Sequence, residues 1–319
     1  ISVEIIKDLP KNLYKYYSLT DYTVKAVNES TLYFSQANLL NDILEGNFDL
    51  LWNFNKFNQN TDILETIKKQ IVNDLPSHKK AFLKWRGVFS MCETFNNELL
   101  WIHYTNETGY CLELNAEKLS THFNTNNEEN NCYFFPMSYP KELKQIDFND
   151  FANIYDEIST QKTQKIIDVN LPIINCFAVK ECHWVYEQEW RLMLRNSKFN
   201  YVSEPTIILD DKSKEAENDM QIGGNIEIPR DIVERIILAP HFFNNSRFNK
   251  FEKVVDGGNL FEIYNFKNDK SGRLCKDFFL SMKKHYPNKV FQIIKMVNED
   301  KIVFRDIKYK IDIIDIGNN

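Results

Sequence analysis

The chain has 319 residues, 43% hydrophobic and 14% aromatic, with 39 Lys and Arg against 45 Asp and Glu and a formal net charge of −6. This composition supplies enough apolar surface for one large or two small folded domains and excludes a disordered chain. The acidic balance disfavours a globally basic nucleic-acid binder but is compatible with a local basic groove.

Strand-like and helical patterns alternate along most of the chain. The predicted strands are Leu13–Tyr17, Thr31–Ser35, Gly87–Cys92, Tyr110–Leu114, Asn175–Val179, Trp184–Leu194, Ile207–Leu209, Ile226–Ile228 and Ile236–Ala239. The predicted helices are Tyr22–Val27 with Asp21 as its cap, a helical spacing within Asp62–Trp85, and Phe148–Ile158. Polar stretches at Asn124–Asn131 and Asp210–Asp219 predict surface loops.

The last segment has a different pattern. Leu274–His285 predicts a helix, and Val290–Val297, an Asn298-Glu299-Asp300 turn and Lys301–Tyr309 predict a β-hairpin. We therefore expect an α+β fold: a mixed or mainly antiparallel sheet flanked by helices, with a C-terminal helix plus β-hairpin appendage. The expected organisation is a main domain over residues 1–245 and an accessory segment over residues 246–319 that packs on it.

Six cysteines are spread along the chain with no C-x-x-C pair. This spacing favours reduced core thiols over a disulfide scaffold, and Cys176 followed by Cys182-His183 fits no usual zinc pattern, so no metal is predicted. No stretch has the roughly 18–20 uncharged apolar residues of a membrane span, and the start lacks the pattern of a signal peptide. We expect a cytoplasmic protein with no membrane partner.

The segment Trp184–Leu194 holds the densest set of chemically active side chains. As a continuous strand it places Glu187, Glu189 and Arg191 on one face, with the glutamates roughly 6.5–7 Å apart. Such a face is either a solvated outer surface with a weak Glu189–Arg191 ion pair, or the lining of a cleft. In a cleft, one carboxylate stabilises a developing cation and the other accepts a proton.

A second cluster lies at Glu98–Tyr104. In an extended segment Trp101 and His103 project to one side, with Ile102 and Tyr104 on the other. His103 is then either a hydrogen-bonded, partly buried residue or an acid/base group near pH 7, positioned by the turn at Gly109.

The early strands are rich in aromatic residues, which either build a core or stack on a nicotinamide, adenine or nucleobase ring. In the second case Lys15 and Ser35 are the natural contacts for phosphate or ribose. The sequence contains no G-x-x-x-x-G-K-[ST], G-x-G-x-x-G or H-E-x-x-H motif, and its nine glycines make a glycine-rich phosphate loop improbable. Kinases, P-loop ATPases and ordinary dehydrogenases are therefore disfavoured.

Seven motifs together resemble the bacterial domain-of-unknown-function 2971 family over residues 13–240. Two of them are L-W-I-H-Y at 100–104 and K-E-C-H-W-V-Y-E-Q-E-W-R at 180–191, in which the W-I-H-Y and Y-E-Q-E-W-R pieces are the most specific. The others are L-Y-K-Y-Y-S at 13–18, T-L-Y-F-S at 31–35, N-D-I-L-E at 41–45, F-S-M-C-E at 89–93 and G-Y-C-L-E at 109–113. The first motif of that family usually ends in Arg, where this chain has Tyr17, and its Asn-Asp-Pro-Phe-Glu segment stands here as residues 41–45. The family name implies no activity.

The order of motifs is also similar to that of ADP-ribosyltransferases. This resemblance implies that Glu189 is the essential carboxylate and Glu187 its helper, with Ser35 on the middle strand and Lys15 or Tyr17 as a weakened anchor. It implies NAD as the substrate. With His103 as a third catalytic candidate, the side chains expected to contact substrate or cofactor are Lys15, Tyr17, Ser35, Trp101, Tyr104 and Arg191.

Three functional hypotheses remain open at this point. The first is an ADP-ribosyltransferase-like or NAD-cleaving effector of the toxin or phage-defence type. The second is a non-enzymatic sensor or interaction domain that binds a nucleotide or a partner protein, and the third is a metal-dependent nuclease. The first requires Glu187, Glu189 and His103 to meet in one pocket, and the third requires acidic residues from at least two segments around Mg²⁺.

Overall fold

The structure is a computed structural model. It describes residues 8–36, 40, 52–53, 59, 73, 87–125, 132–142, 146–147, 176–194, 223–243, 247–256, 259–298, 301–308 and 310–312. The chain divides into two units, the first formed by residues 1–8, 34–89 and 126–224 and the second by residues 9–33, 90–125 and 225–319.

The described elements are mainly short strands with four α-helices. The strands are β1 (Asn12–Tyr17), β2 (Thr31–Gln36), β3 (Trp52–Asn53), β4 (Gly87–Cys92), β5 (Tyr110–Asn115), β6 (Cys132–Pro136), β7 (Ile146–Asp147), β8 (Glu189–Leu194), β9 (Gly223–Glu227), β10 (Val233–Leu238), β11 (Phe248–Asp256), β12 (Asn259–Phe266), β13 (Val290–Asn298), β14 (Lys301–Lys308) and β15 (Lys310–Asp312). The helices are α1 (Asp21–Glu29), α2 (Glu98–Thr105), α3 (Ala116–Thr125) and α4 (Lys270–His285), and two 3₁₀ helices span Cys182–Glu187 and Arg230–Ile232.

The second unit is built on a sheet in the strand order β14-β13-β10-β5-β1. The β13–β10 pair is parallel and its neighbours are antiparallel. β5 lies in the middle, and its residues Tyr110, Cys111, Leu112 and Leu114 are buried. Near-continuous burial is expected of a central strand that has both faces covered.

Helices cover the face of this sheet on which Tyr110 lies. The Tyr110 ring packs 4.7 Å from Phe278 of α4, and its hydroxyl donates to the backbone oxygen of Thr23 in α1. The fully buried Phe278 and Phe279 of α4 continue into a phenylalanine cluster with Phe242. This aromatic packing, with the sheet beneath it, forms the core of the second unit.

Side-chain caps set where these helices begin. The Thr20 side chain accepts from the Thr23 amide and the Thr23 hydroxyl accepts from the Thr20 amide, so the cap of α1 is Thr20 and the prediction of Asp21 is wrong. Asp269 caps α4 by accepting from the Gly272 amide at 2.7 Å. A side chain at position 272 would begin 2.0 Å from the Lys267 carbonyl oxygen, so only glycine fits there.

The C-terminal helix and hairpin are confirmed as α4, β13 and β14. The hairpin extends the sheet of the second unit, because Val290–Gln292 of β13 pair with Ile236–Leu238 of β10. In the same unit β11, β12 and β15 form a separate three-stranded sheet. The domain boundary near residue 245 stays a prediction.

The first unit contains the antiparallel pair β6–β8, with Cys132 opposite Leu194 and Pro136 opposite Trp190. Ser35 of β2 pairs with Val88 of β4, and β3 pairs in parallel with β7. Every residue of β8 is buried. The mixture of helices with largely antiparallel strands confirms the α+β fold class.

Several predicted elements lie outside the described residues or differ from the structure. The helical spacing within Asp62–Trp85, the Phe148–Ile158 helix, the Asp210–Asp219 loop, the Ile207–Leu209 strand and most of the Asn124–Asn131 loop lie outside them. The strand at Asn175–Val179 is wrong for its described part, where Val179 forms only an isolated bridge with Ser138.

Candidate functional site

The Y-E-Q-E-W-R segment is not one continuous strand, so that prediction is wrong. Cys182–Glu187 forms a 3₁₀ helix, Gln188 adopts a left-handed conformation with φ 43° and ψ 51°, and β8 begins only at Glu189. The left-handed residue ends the helix and turns the chain. Glu187 and Glu189 therefore do not share a strand face through two-residue periodicity.

The two glutamates nevertheless converge on one lysine. Lys180 Nζ lies 2.9 Å from Glu187 Oε2 and 2.6 Å from Glu189 Oε2, and 5.4 Å from the centre of the Trp184 ring. Only 2% of Glu187, 4% of Glu189 and 8% of Lys180 is exposed. The solvated-surface interpretation of this segment is wrong, because these charges are buried.

Arg191 closes the network from β8. Its Nε donates to Glu189 Oε1 at 2.7 Å and a terminal nitrogen donates to the Phe177 carbonyl at 2.8 Å, with 1% of the residue exposed. The Glu189 backbone amide donates to the Tyr139 hydroxyl at 2.8 Å. We call Lys180, Glu187, Glu189 and Arg191 the Lys180 network; its two carboxylates and two cations balance in charge.

The network fixes the protonation of Glu189. Burial alone would raise the pKa of this carboxyl group, but Arg191 and Lys180 outweigh it and bring the pKa to about 2. Burial also raises the pKa of the Tyr139 hydroxyl. Glu189 is thus a permanently ionised, charge-compensated carboxylate near pH 7, and a proton acceptor at that pH needs a pKa much nearer 7.

Lys180 and Tyr139 belong to the site but were not predicted from the sequence. Lys180 is the first residue of the K-E-C-H-W-V-Y-E-Q-E-W-R motif, seven residues before Glu187. Glu187 and Glu189 outnumber Arg191 in this segment, so burying all three requires a second cation, and this excess of negative charge could have indicated Lys180. Tyr139 carries no such signal, because it reaches Glu189 only through the tertiary fold.

The W-I-H-Y motif lies on a helix, and the extended conformation predicted for it is wrong. Asn97 caps α2 by accepting from the amides of Leu99 and Leu100. Helical geometry separates residues two apart, so Trp101 is fully buried while His103 is exposed. Trp101 donates from Nε1 to the Phe95 carbonyl at 2.7 Å, which makes it an anchor of the helix.

The remaining predicted contacts are distributed over both units. Ser35 belongs to the first unit, with Glu187, Glu189 and Arg191, whereas Lys15, Tyr17, Trp101, His103 and Tyr104 belong to the second. Lys15 Nζ lies 6.0 Å from the Tyr17 ring centre, and burial raises the pKa of the Tyr17 hydroxyl. Tyr104 is 38% exposed, and residues 41–45 lie outside the described part of the chain.

A second buried carboxylate lies in the second unit. Glu113 of β5 accepts from the Asn12 amide at 2.6 Å and the Tyr14 hydroxyl at 3.1 Å, and pairs with the Arg235 guanidinium. Arg235 lies 5.4 Å from the ring centre of Phe95 and keeps 26% of its side chain exposed. We call Asn12, Tyr14, Glu113 and Arg235 the Glu113 cluster. Glu113 is the last residue of the G-Y-C-L-E motif, and the sequence predicted no function for it.

The described residues hold neither a clustered metal site nor a membrane-spanning helix. In that part of the chain no group of three or more His, Cys, Asp or Glu side chains lies together as a metal site would require. All six cysteines carry free thiols; Cys182 is exposed and Cys92 half-buried, and the other four are buried. No helix among the described residues is long and apolar enough to cross a membrane.

Fold and site together define an α+β protein with a buried, charge-balanced ionic network. The family model described as "Protein of unknown function (DUF2971)" matches residues 100–192, which confirms the resemblance over that range. The matched range includes both the W-I-H-Y motif and the Lys180 network. No curated protein and no solved structure matches the chain, and the likeness to ADP-ribosyltransferases gains no support from these comparisons.

Proposed function

We propose that this protein is a non-enzymatic recognition domain in which the Y-E-Q-E-W-R segment is structural. The observation that carries the proposal is the mutual neutralisation of the Lys180 network, in which each of the four residues is at most 8% exposed. A catalytic carboxylate must reach its substrate, and a general base needs a pKa near the working pH. Glu189 meets neither requirement.

The orientation of the other motif supports the same proposal. On α2, Trp101 anchors the helix inward, while His103, the 41%-exposed Ile102 and the 44%-exposed Leu99 lie toward solvent. Leu99, Ile102 and His103 are spaced three and four residues apart, so they share one helix face. A face of this kind suits contact with a partner, and none of its groups requires a chemical step.

An NAD-cleaving effector of the toxin or phage-defence type is the second candidate. It is favoured by one observation, the convergence of Glu187 and Glu189 on Lys180. This candidate requires a state in which Lys180 or Arg191 releases Glu189 toward the nicotinamide ribose.

The test measures NAD⁺ consumption by wild type, Glu189→Gln and Glu181→Gln, with cell lysate present to supply acceptors, beside a thermal melt of each protein. Glu181 is the matched control because it lies in the same segment with 43% of its side chain exposed. We expect no NAD⁺ loss with any of the three and a lower melting temperature for Glu189→Gln alone. NAD⁺ loss with wild type and Glu181→Gln, absent with folded Glu189→Gln, would overturn the proposal in favour of NAD cleavage.

A further inference from the structure

One helix carries a charge opposite to that of the chain. α4 contains five Lys and Arg and one Asp, a net charge of +4, in a protein whose formal net charge is −6. At 3.6 residues per turn the five cations fall within an arc of about 140° on a helix about 24 Å long. They are Lys270, Arg273, Lys276, Lys283 and Lys284.

This cationic face points to solvent. Lys270, Arg273, Lys283 and Lys284 are exposed, and Lys276 is partly exposed. The opposite face, with Cys275, Phe278, Phe279 and Met282, is buried in the second unit. The helix is therefore held rigidly by its apolar side, so its cations are displayed along a fixed line.

Arg230 and Lys284 place positive charge near the C-terminal end of α4. Burial lowers the pKa of His285 at the end of α4, and the positive charges of Arg230 and Lys284 lower it further. Acidic neighbours of the stripe include the N-cap residue Asp269, Asp277 within the stripe, and Asp21 of α1, which is 3.1 Å from Lys270. They reduce the net charge near the start and middle of α4, and the helix sequence carries no Asp or Glu after Asp277.

We propose that the cationic face of α4 binds the phosphate backbone of double-stranded nucleic acid. The inference rests on the proposed function and names the partner of that recognition domain. A row of cations on one side of a rigid helix is the electrostatic footprint of backbone binding. A membrane surface is the weaker match, since insertion requires an apolar face and the outward face offers only Leu280, which is 43% exposed.

The experiment measures fluorescence anisotropy of labelled DNA and RNA duplexes of about 20 base pairs, at salt concentrations from about 50 to about 200 mM. The proteins are wild type, Lys283→Glu/Lys284→Glu, Asp277→Lys, and the control Lys11→Glu/Lys141→Glu. The control makes the same change in net charge at two exposed lysines outside α4. Melting temperatures establish that all four proteins are folded.

Wild type should bind at least one duplex and lose roughly 100-fold in affinity over this salt range. The α4 double variant should bind about 10-fold or more weakly with a salt slope smaller by about 2, and Asp277→Lys should bind about 3-fold more tightly. The control should match wild type within about 2-fold.

Two results would overturn the inference. One is no duplex binding at the lowest salt, whether or not the α4 lysines bind phosphatidylserine vesicles, and the other is equal weakening by the control and the α4 variant. Neither of these requires NAD⁺ turnover, so failure of this inference remains distinct from failure of the recognition-domain proposal.

Discussion

The Lys180 network and the Glu113 cluster bury a carboxylate in different ways. Glu189 is surrounded by two cations, both at most 8% exposed, whereas Glu113 has one partly exposed arginine and two neutral donors, Asn12 and Tyr14. Desolvating a charge costs several kcal/mol per ion, and this cost is offset only by close partners. We therefore expect that neutralising the carboxylate lowers the unfolding free energy strongly where all its charged partners are buried. The loss should be smaller where one partner is exposed enough to be solvated by water.

Glu189→Gln should have the largest effect. It leaves Arg191 buried beside a neutral side chain and Lys180 with one carboxylate instead of two, so we expect a loss of roughly 3–5 kcal/mol in unfolding free energy. Denaturant titration followed by tryptophan fluorescence measures this loss. A change below about 1 kcal/mol would contradict the description of the Lys180 network as a stabilising unit.

Lowering the pH should protonate Glu189 in the wild-type protein and reduce its unfolding free energy. The pKa of Glu189 is lowered from 4.5 to about 2 on folding, so its contribution is fully present above pH 4.5 and is lost as the pH falls toward 2. Unfolding free energies measured across this interval should fall more steeply for wild type than for Glu189→Gln. Parallel curves for the two proteins would remove Glu189 from the acid response.

Glu113→Gln should have an intermediate effect of about 1–3 kcal/mol. The glutamine can still accept from Tyr14 and Asn12, and the partly exposed Arg235 can be rehydrated. Glu117→Gln, at an exposed position of α3, is the matched control and should be near neutral. A loss as large as that of Glu189→Gln would show that partner exposure does not separate the two clusters.

His103→Ala should have the smallest effect on stability, within about 0.5 kcal/mol, because His103 is exposed and alanine favours a helix. Trp101→Phe, two residues earlier, removes the hydrogen bond to the Phe95 carbonyl and should lower the melting temperature clearly. The two melts compare the outward and inward sides of α2. Equal losses from both variants would contradict the orientation of this helix.

Much of the strand pattern followed from sequence. Leu13–Tyr17, Gly87–Cys92 and the C-terminal hairpin match β1, β4, β13 and β14 closely, since apolar runs between turn residues identify strands. The W-I-H-Y and Y-E-Q-E-W-R segments were assigned wrongly. In both, short aromatic-rich runs suit helix and strand alike, and local caps at Asn97 and Gln188 decided the outcome.

The candidate site was predictable in part. The sequence placed Glu187, Glu189 and Arg191 together, and the structure brings them into one network. It did not identify Lys180 as the shared partner or the depth of burial. Whether the charged side chains of a short segment face water or the protein interior depends on residues far away in sequence that pack over the segment. The spacing of residues within the segment carries no information about that packing.

The sequence by itself determined the α+β class, the C-terminal helix and hairpin, and the motifs that the DUF2971 family model matches, because these depend on local apolar spacing, turn residues and residue identity. Only the tertiary structure decided that Glu189 is an ionised, fully paired carboxylate and that Trp101 and His103 point to opposite environments. Burial and pKa arise from neighbours such as Lys180 and Tyr139 that folding brings to the site.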